Sequence, residues 1–324
     1  MNGSPLPEWA PHEAVWIGFP SHLALWGDDF AAAQNEVAAF ARAVHADGAG
    51  ETIWLVAANE TAARKARALA PFATIIVEPF GDIWLRDTGA IVRGSGARRH
   101  AAGFGFNGWG GKYELAGDDS IGERLARSAG LAYSKADWIL EGGAIDGDGS
   151  GTVITTEQCL LNPNRNPQMD RAEVEARLRE DLGFERVVWL GDGLANDHTD
   201  GHVDNLARFV APGRVAIPFG NGDDPNTKIY SDAAKRLGSA KLDVVNLPSP
   251  GKIEQDGSIV AASYMNFYIG NAAVVVPQYG APNDQAAIAV VQALFPDRRA
   301  IGLRADHVLT GGGSFHCISQ QVPL

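Results

Sequence analysis

Leu140-Glu141-Gly142-Gly143-Ala144-Ile145, followed after a polar gap by Thr152-Val153-Ile154, is the stretch on which the reading of the fold turns. A carboxylate and two glycines open into an apolar run, and a second apolar run returns, as in two short strands joined by a turn. The arrangement recurs. Upstream lies Trp84-Leu85-Arg86-Asp87-Thr88-Gly89-Ala90-Ile91-Val92. Downstream are residues 201–210 returning through Val215-Ala216-Ile217, and Ser263-Tyr264-Met265-Asn266-Phe267-Tyr268 returning through Val274-Val275-Val276. Residues 313–318 form the last copy. With Asp87, Glu141, Asp204, Asn266 and Cys317 as markers, the steps are 54, 63, 62 and 51 residues, which gives five quasi-repeats of one supersecondary unit.

Between these segments lie helical patterns at 30–45, 61–70, 120–129, 171–182, 232–237 and 285–294, and strand-like runs at 52–56, 74–77, 187–190, 242–245 and 300–303. The alternation predicts an α/β fold. A ring of such units would bring the five markers to one axis and one central site. An ordinary α/β domain also fits, because the steps are unequal. Against it, every repeat sets a polar residue in an otherwise apolar strand, where an unpaired polar group is costly. No linker-like or low-complexity tract interrupts the chain, so residues 1–324 read as a single domain built of five quasi-repeats.

With 324 residues, 45% of them hydrophobic and 20% charged, the chain is globular and can bury a large core. Its first eight residues have neither a basic start nor an apolar stretch, and no later apolar run approaches the roughly 20 residues that span a bilayer. The expectation is a soluble, cytoplasmic protein with reduced thiols and no membrane partner. Against 39 acidic residues stand 27 basic ones, for a formal net charge of −12. That balance repels polyphosphate backbones, which excludes nucleic acid as a partner, and it favours small cations.

Cys317 lies in Gly311-Gly312-Gly313-Ser314-Phe315-His316-Cys317-Ile318-Ser319, a glycine run leading to a thiol in what reads as a short apolar strand. Asp197-His198-Thr199-Asp200-Gly201-His202-Val203-Asp204 offers the imidazole and carboxylates that a catalytic thiol needs. A buried cysteine acting only as a small hydrophobe is the alternative. Cys159, in an apolar run with no glycine loop beside it, reads as core. His198 and His202 have the i, i+4 spacing of a helical zinc motif, but the glutamate after the first histidine is missing and Gly201 disfavours a helix. If residues 202–204 are a strand instead, His202 and Asp204 share one face.

Taken together, Asp82-Ile83-Trp84-Leu85-Arg86-Asp87-Thr88-Gly89, Phe106-Asn107-Gly108-Trp109-Gly110-Gly111, Glu141-Gly142-Gly143, Asn162-Pro163-Asn164-Arg165-Asn166-Pro167, Thr199-Asp200-Gly201-His202-Val203-Asp204 and Gly311-Gly312-Gly313…His316-Cys317 strongly resemble the agmatine deiminase family. The resemblance runs over essentially the whole chain. It implies the guanidino-group modifying fold, a five-bladed α/β propeller of pseudo-fivefold symmetry (the pentein fold), and hydrolysis of agmatine to N-carbamoylputrescine and ammonia. By the same resemblance Cys317 is the nucleophile, His202 the general acid and base, Glu141 its orienting partner, and Asp87 and Asp204 the clamps on the guanidinium. Trp84, Trp109, Asp197 and Gly312 are further substrate-binding candidates, although burial in the core would also account for the two tryptophans. Asn266 receives no role, and Arg165 is expected in a structural ion pair.

No metal or organic cofactor is implied, the substrate is a small guanidine cation, and a homodimer is expected. Deimination of another guanidine such as peptidyl-arginine, amidino transfer to an amine, and guanidinium binding without turnover are the rival readings. Ala90, Asp146-Gly147 and Ser314-Phe315 depart from the usual family pattern. The expectation is that such departures bear on the amine end of the substrate and the rim of the site.

Overall fold

The computed structural model describes residues 3–220 and 222–324. Five small mixed sheets form the blades of a propeller, and all share one three-stranded unit, to which one blade adds a fourth strand. In the first blade, Ile91–Arg93 runs antiparallel to His100–Gly105, which is parallel to Ala132–Ile139 across the helix Ile121–Ser128. A parallel pair needs such a crossover, because its strands cannot be joined by a tight turn.

The second blade repeats this with Ile145–Gly147, Thr152–Thr156, Arg186–Leu190 and the helix Arg171–Leu182. The third uses Arg208–Ala211, Arg214–Phe219, Asp243–Pro248 and the helix Thr227–Ser239. The fourth uses Tyr268–Ile269, Ala273–Gln278, Arg299–Arg304 and the helix Asp284–Leu294.

The two ends of the chain make the fifth blade. Ser319–Pro323 pairs antiparallel with His12–Phe19, from His12 opposite Pro323 to Ile17 opposite Ser319. His12–Phe19 in turn pairs parallel with Thr52–Ala57 across the helix Phe30–His45, and Thr74–Val77 extends the sheet. The last sequence repeat lacks a return strand because that strand is the first of the chain.

Local sequence explains the element boundaries. Asp170 accepts from the Glu173 backbone N–H at 3.0 Å while Glu173 accepts from that of Asp170 at 2.7 Å, so a reciprocal capping box starts the helix Arg171–Leu182. Gly183, at φ 72°, ends it. The middle strand Ala273–Gln278 is an almost continuous buried apolar run, as expected where both faces of a strand are covered. The helix expected at 232–237 is longer, Thr227–Ser239, because Thr227, Lys228 and Ser231 hide the periodicity at its start.

One expectation is corrected. The five markers do not sit inside strands. Each lies in, or directly before, a single helical turn that feeds the first strand of its blade: Leu85–Thr88, Gly142–Ala144, Val203–Asn205, Tyr264–Asn266, and the turn through Cys317 closed by the bond from Ile318 N–H to the Ser314 carbonyl at 3.2 Å. In a turn, the polar side chain escapes the apolar strand environment and can point along the axis toward its counterparts.

Candidate active site

Asp87, His202 and Asp204 converge around the Cα of Gly143, and Cys317 joins them through Asp204. A methyl group built there would meet His202 Nδ1 at 2.6 Å, Asp87 Oδ1 at 2.8 Å and Asp204 Oδ2 at 3.1 Å. Only glycine leaves room. The backbone N–H of Gly143 also donates to Asp87 Oδ1 at 2.9 Å, so the residue that makes space for the carboxylate also fixes it. Trp109 holds the other oxygen, donating from Nε1 to Asp87 Oδ2 at 2.9 Å. To do so Trp109 adopts φ 53°, a left-handed conformation that is unusual for a bulky residue and is often found at functional positions.

The strand reading of residues 202–204 is also corrected. His202 is extended and Val203–Asn205 is a 3₁₀ turn. The helical zinc reading has no support either, since Asp200 and Gly201 both have positive φ, 63° and 83°, which no continuous helix permits. His198 faces the mouth of the site, where its Nδ1 lies 3.0 Å from the Tyr113 hydroxyl. His202 is buried, with Nδ1 3.6 Å from Asp87 Oδ1.

Around Cys317 the contacts are close. Its Sγ lies 3.5 Å from Asp204 Oδ2 and receives a hydrogen bond from Asn266 Nδ2 at 3.0 Å. Asp204 Oδ2 also faces His316 Nδ1 at 2.8 Å, and the other nitrogen of His316 lies 2.8 Å from Glu8 Oε2. Glu8 is buried and also pairs with Arg208 at 2.9 Å and Arg86 at 3.3 Å. The amino-terminal segment thereby closes the axis beneath the site.

These neighbours set the charges. Burial, together with the Asp204 and Asp87 carboxylates, pushes the Cys317 thiol well above its usual range. Burial opposes a charged imidazole, but Asp87, Cys159 and Glu141 around His202 outweigh it and hold the ring well above its ordinary value. Asp204 is buried as well, and His316 beside it keeps its carboxyl low. These directions favour the neutral form of the Cys317 thiol, the protonated form of His202 and the ionised form of Asp204.

Glu141 gives one oxygen to Arg165 Nε at 2.6 Å, and its other oxygen has no hydrogen-bond partner. Arg165 also pairs with Asp200 at 2.7 Å, as the expected structural ion pair. Cys159 is buried as anticipated but is not remote, because ligand atoms of Glu141, Cys159 and His202 lie within 4.8 Å of one another. Trp84 and Trp109 line one cavity together with Asp87, Gly312 and Cys317. Asp197 instead borders an adjoining outer recess, with both carboxylate oxygens accepting bonds from Thr199 and Asn205.

Sequence reasoning missed Glu8, His316 and the use of Asn266. The one signal available was the equivalence of Asn266 with the other markers. Of the departures from the family pattern, Ala90, Ser314 and Phe315 are buried, with Phe315 stacked on Phe40 at 4.8 Å, whereas Asp146, which pairs with Arg208 at 2.6 Å, and Gly147 are half-buried and line a separate recess. None of them forms the rim. Among the described residues no helix is long and apolar enough to cross a membrane.

A family model for Porphyromonas-type peptidyl-arginine deiminase matches residues 5–323. The chain is 36% identical to the agmatine deiminase of Stutzerimonas stutzeri, over 98% of this chain and 94% of that protein. In three dimensions it is similar to the agmatine deiminase of Enterococcus faecalis, with TM-score 0.93 and 32% identity over 99% of this chain and 96% of that one. A cysteine-to-serine variant of Campylobacter jejuni agmatine deiminase with substrate bound gives TM-score 0.91 and 27% identity, over 98% and 96% of the two chains. The chain belongs to the agmatine deiminase family, within the Porphyromonas-type peptidyl-arginine deiminases.

Proposed function

We propose that this protein hydrolyses agmatine to N-carbamoylputrescine and ammonia through a covalent amidino intermediate on Cys317, within one catalytic domain formed by residues 1–324. The observation that carries the reading is the convergence of Asp87, Asp204, His202 and Cys317 at one buried point. Full-length similarity to agmatine deiminases supports it.

A guanidinium is planar and permanently charged, and it presents paired N–H donors. Asp87 and Asp204 hold it by charge-assisted hydrogen bonds, with its carbon beside Cys317 Sγ. The bound cation lowers the thiol's pKa against the two carboxylates that had raised it, so substrate binding helps to ionise the nucleophile, whose proton passes to solvent and is finally taken up by the released ammonia as ammonium. Sulfur adds to the carbon. The tetrahedral adduct then expels ammonia, taking the needed proton from His202, which becomes neutral. Neutral His202 next removes a proton from water, whose oxygen adds to the amidino-thioether carbon. The C–S bond breaks, and the alkylurea leaves as the thiol is restored. One water is consumed, and the guanidino carbon exchanges one C–N bond for C=O.

The test is ammonia and ureido product measured in parallel from agmatine, arginine and peptidyl-arginine, with agmatine expected to be best. Product formed only when an acceptor amine is added would establish transfer instead, and binding without product would establish a guanidinium-binding protein. Acid quenching during turnover should place the amidino group on Cys317 and none on Cys159. Cys317→Ser should bind agmatine without turnover, and activity should survive exhaustive chelation. A homodimer, proposed from the family resemblance, is checked by sedimentation equilibrium.

A further inference from the structure

The reacting end of the cavity is formed by Cys317 and Asp87, both buried, whereas Leu25 and Tyr113, respectively 46% and 43% exposed, mark its mouth. One other carboxylate lines the same cavity, that of Asp82, which is half-buried. Asp82 Oδ1 accepts from its neighbour's Ile83 N–H at 2.9 Å and from Trp26 Nε1 at 3.1 Å. Among the described residues Oδ2 accepts only from Trp84 Nε1, at 2.9 Å. A carboxylate has about four acceptor sites, so Oδ2 keeps capacity for another donor.

All three donors are neutral, and among the described residues Asp82 forms no ion pair. Burial also holds its carboxyl above the usual range, so the anion gains from any cation brought beside it.

We infer that Asp82 is the acceptor for the terminal ammonium of the substrate, and hence the residue that selects an aminoalkylguanidine over a plain alkylguanidine. The inference rests on the proposed deimination of agmatine. Asp87 belongs to the guanidinium end, and Asp197 borders the neighbouring recess and does not line this cavity. Trp84 and Leu115 line the same cavity and give the methylenes an apolar wall. Trp84 also fixes the direction of the carboxylate, since its ring stacks on Trp26 at 6.1 Å and both indoles donate to Asp82. Two tryptophans aim one anion into an otherwise mainly apolar passage.

The experiment compares agmatine with n-butylguanidine, which has the same four-carbon chain and no ammonium. In wild-type protein kcat/KM should favour agmatine by about tenfold or more, and Asp82→Asn should erase that preference. The variant should lower kcat/KM for agmatine about tenfold to a hundredfold, mainly through KM, and leave butylguanidine within about threefold. A parallel loss on both substrates would show that Asp82 only supports Trp26 and Trp84, and would overturn the inference. Equal wild-type efficiency on the two guanidines overturns it as well, whether or not the variant folds. Absence of any wild-type turnover of agmatine is a different outcome, which removes the proposed function itself.

Discussion

Asn266 donates from Nδ2 to Cys317 Sγ at 3.0 Å, while its Oδ1 accepts the backbone N–H groups of His316 at 3.0 Å and Cys317 at 3.2 Å. One amide side chain thus holds both the backbone and the sulfur of the nucleophile. A donor aimed at sulfur favours the thiolate, and Asn266 works in this direction against the neighbouring carboxylates. Asn266→Ala should therefore lower kcat about tenfold to a hundredfold, the cost of losing a hydrogen bond to a charged group. It should also move the pH midpoint of Cys317 alkylation by iodoacetamide upward, and Asn266→Asp should move it further. Peptide mass spectrometry across a pH series reads both shifts, and an unchanged midpoint would reject this role.

Asp204 acts on the same thiol with the opposite sign. Its carboxylate raises the Cys317 pKa, so removing the charge should lower it. Asp204→Asn is expected to shift the alkylation midpoint to lower pH while weakening agmatine binding about tenfold to a hundredfold. A more reactive thiol in a less active enzyme is a combination that simple misfolding does not produce. Alkylation rates and inhibitor binding, measured on one preparation, decide it.

Gly143→Ala tests the convergence point. The added methyl would lie 2.6 Å from His202 Nδ1 and 2.8 Å from Asp87 Oδ1, well inside contact distance. Activity should fall at least about a hundredfold, since small misplacements of reacting groups carry costs of that order. Stability should fall by about 1–3 kcal/mol from overpacking. Steady-state kinetics and urea unfolding are the measurements, and near-normal turnover would show that the three side chains around Gly143 do not need this spacing.

The Cys159 sulfur lies within 4.8 Å of a ring nitrogen of His202 and of a carboxylate oxygen of Glu141. Because the thiol helps to hold the imidazole in its charged form, Cys159→Val should lower the pKa of His202 and move the alkaline limb of the kcat profile to lower pH. Cys159→Ser, which keeps a polar group, should shift the limb less. A uniform loss of rate with an unmoved pH profile would return Cys159 to a purely packing role.

Glu8 ties the amino terminus to the axis and should appear in the pH dependence of stability. Burial works against its charge, but Arg208 and His316 outweigh burial and hold the carboxyl well below its ordinary value. A depressed carboxylate stabilises the fold above the unfolded-state pKa of about 4.3, and that stabilisation is lost as pH falls through the lower folded-state value. Glu8→Gln should cost about 3–5 kcal/mol at neutral pH, because Arg208 and Arg86 lose a buried partner. The gap to wild type should persist to about pH 5 and close only below about pH 4. Urea unfolding at several pH values reads it.

Local signals were enough to find the repeating unit. Alternating apolar periods mark helix and strand whatever surrounds them, so Arg171–Leu182 with its capping box and Phe30–His45 with its long amphipathic face could be read directly from the chain. The motifs around Asp87, Glu141, His202, Asp204 and Cys317 carried the family by resemblance, and the guanidine chemistry came with that resemblance, while the residue types alone pointed only to a catalytic thiol. Three-dimensional packing decided the rest. Whether a polar residue beside a glycine sits in a strand or a turn depends on neighbours distant in sequence, which is why the marker segments resolved as helical turns. Glu8 lies 309 residues before Cys317 and is joined to it through His316 and Asp204 and through Arg86, and the strand that completes the last repeat is the first in the chain. Ring closure brings these ends together, and no local pattern encodes it. The thiol's raised pKa likewise arises from burial and two carboxylates delivered by other blades, a property of the assembled axis and not of the residues flanking Cys317.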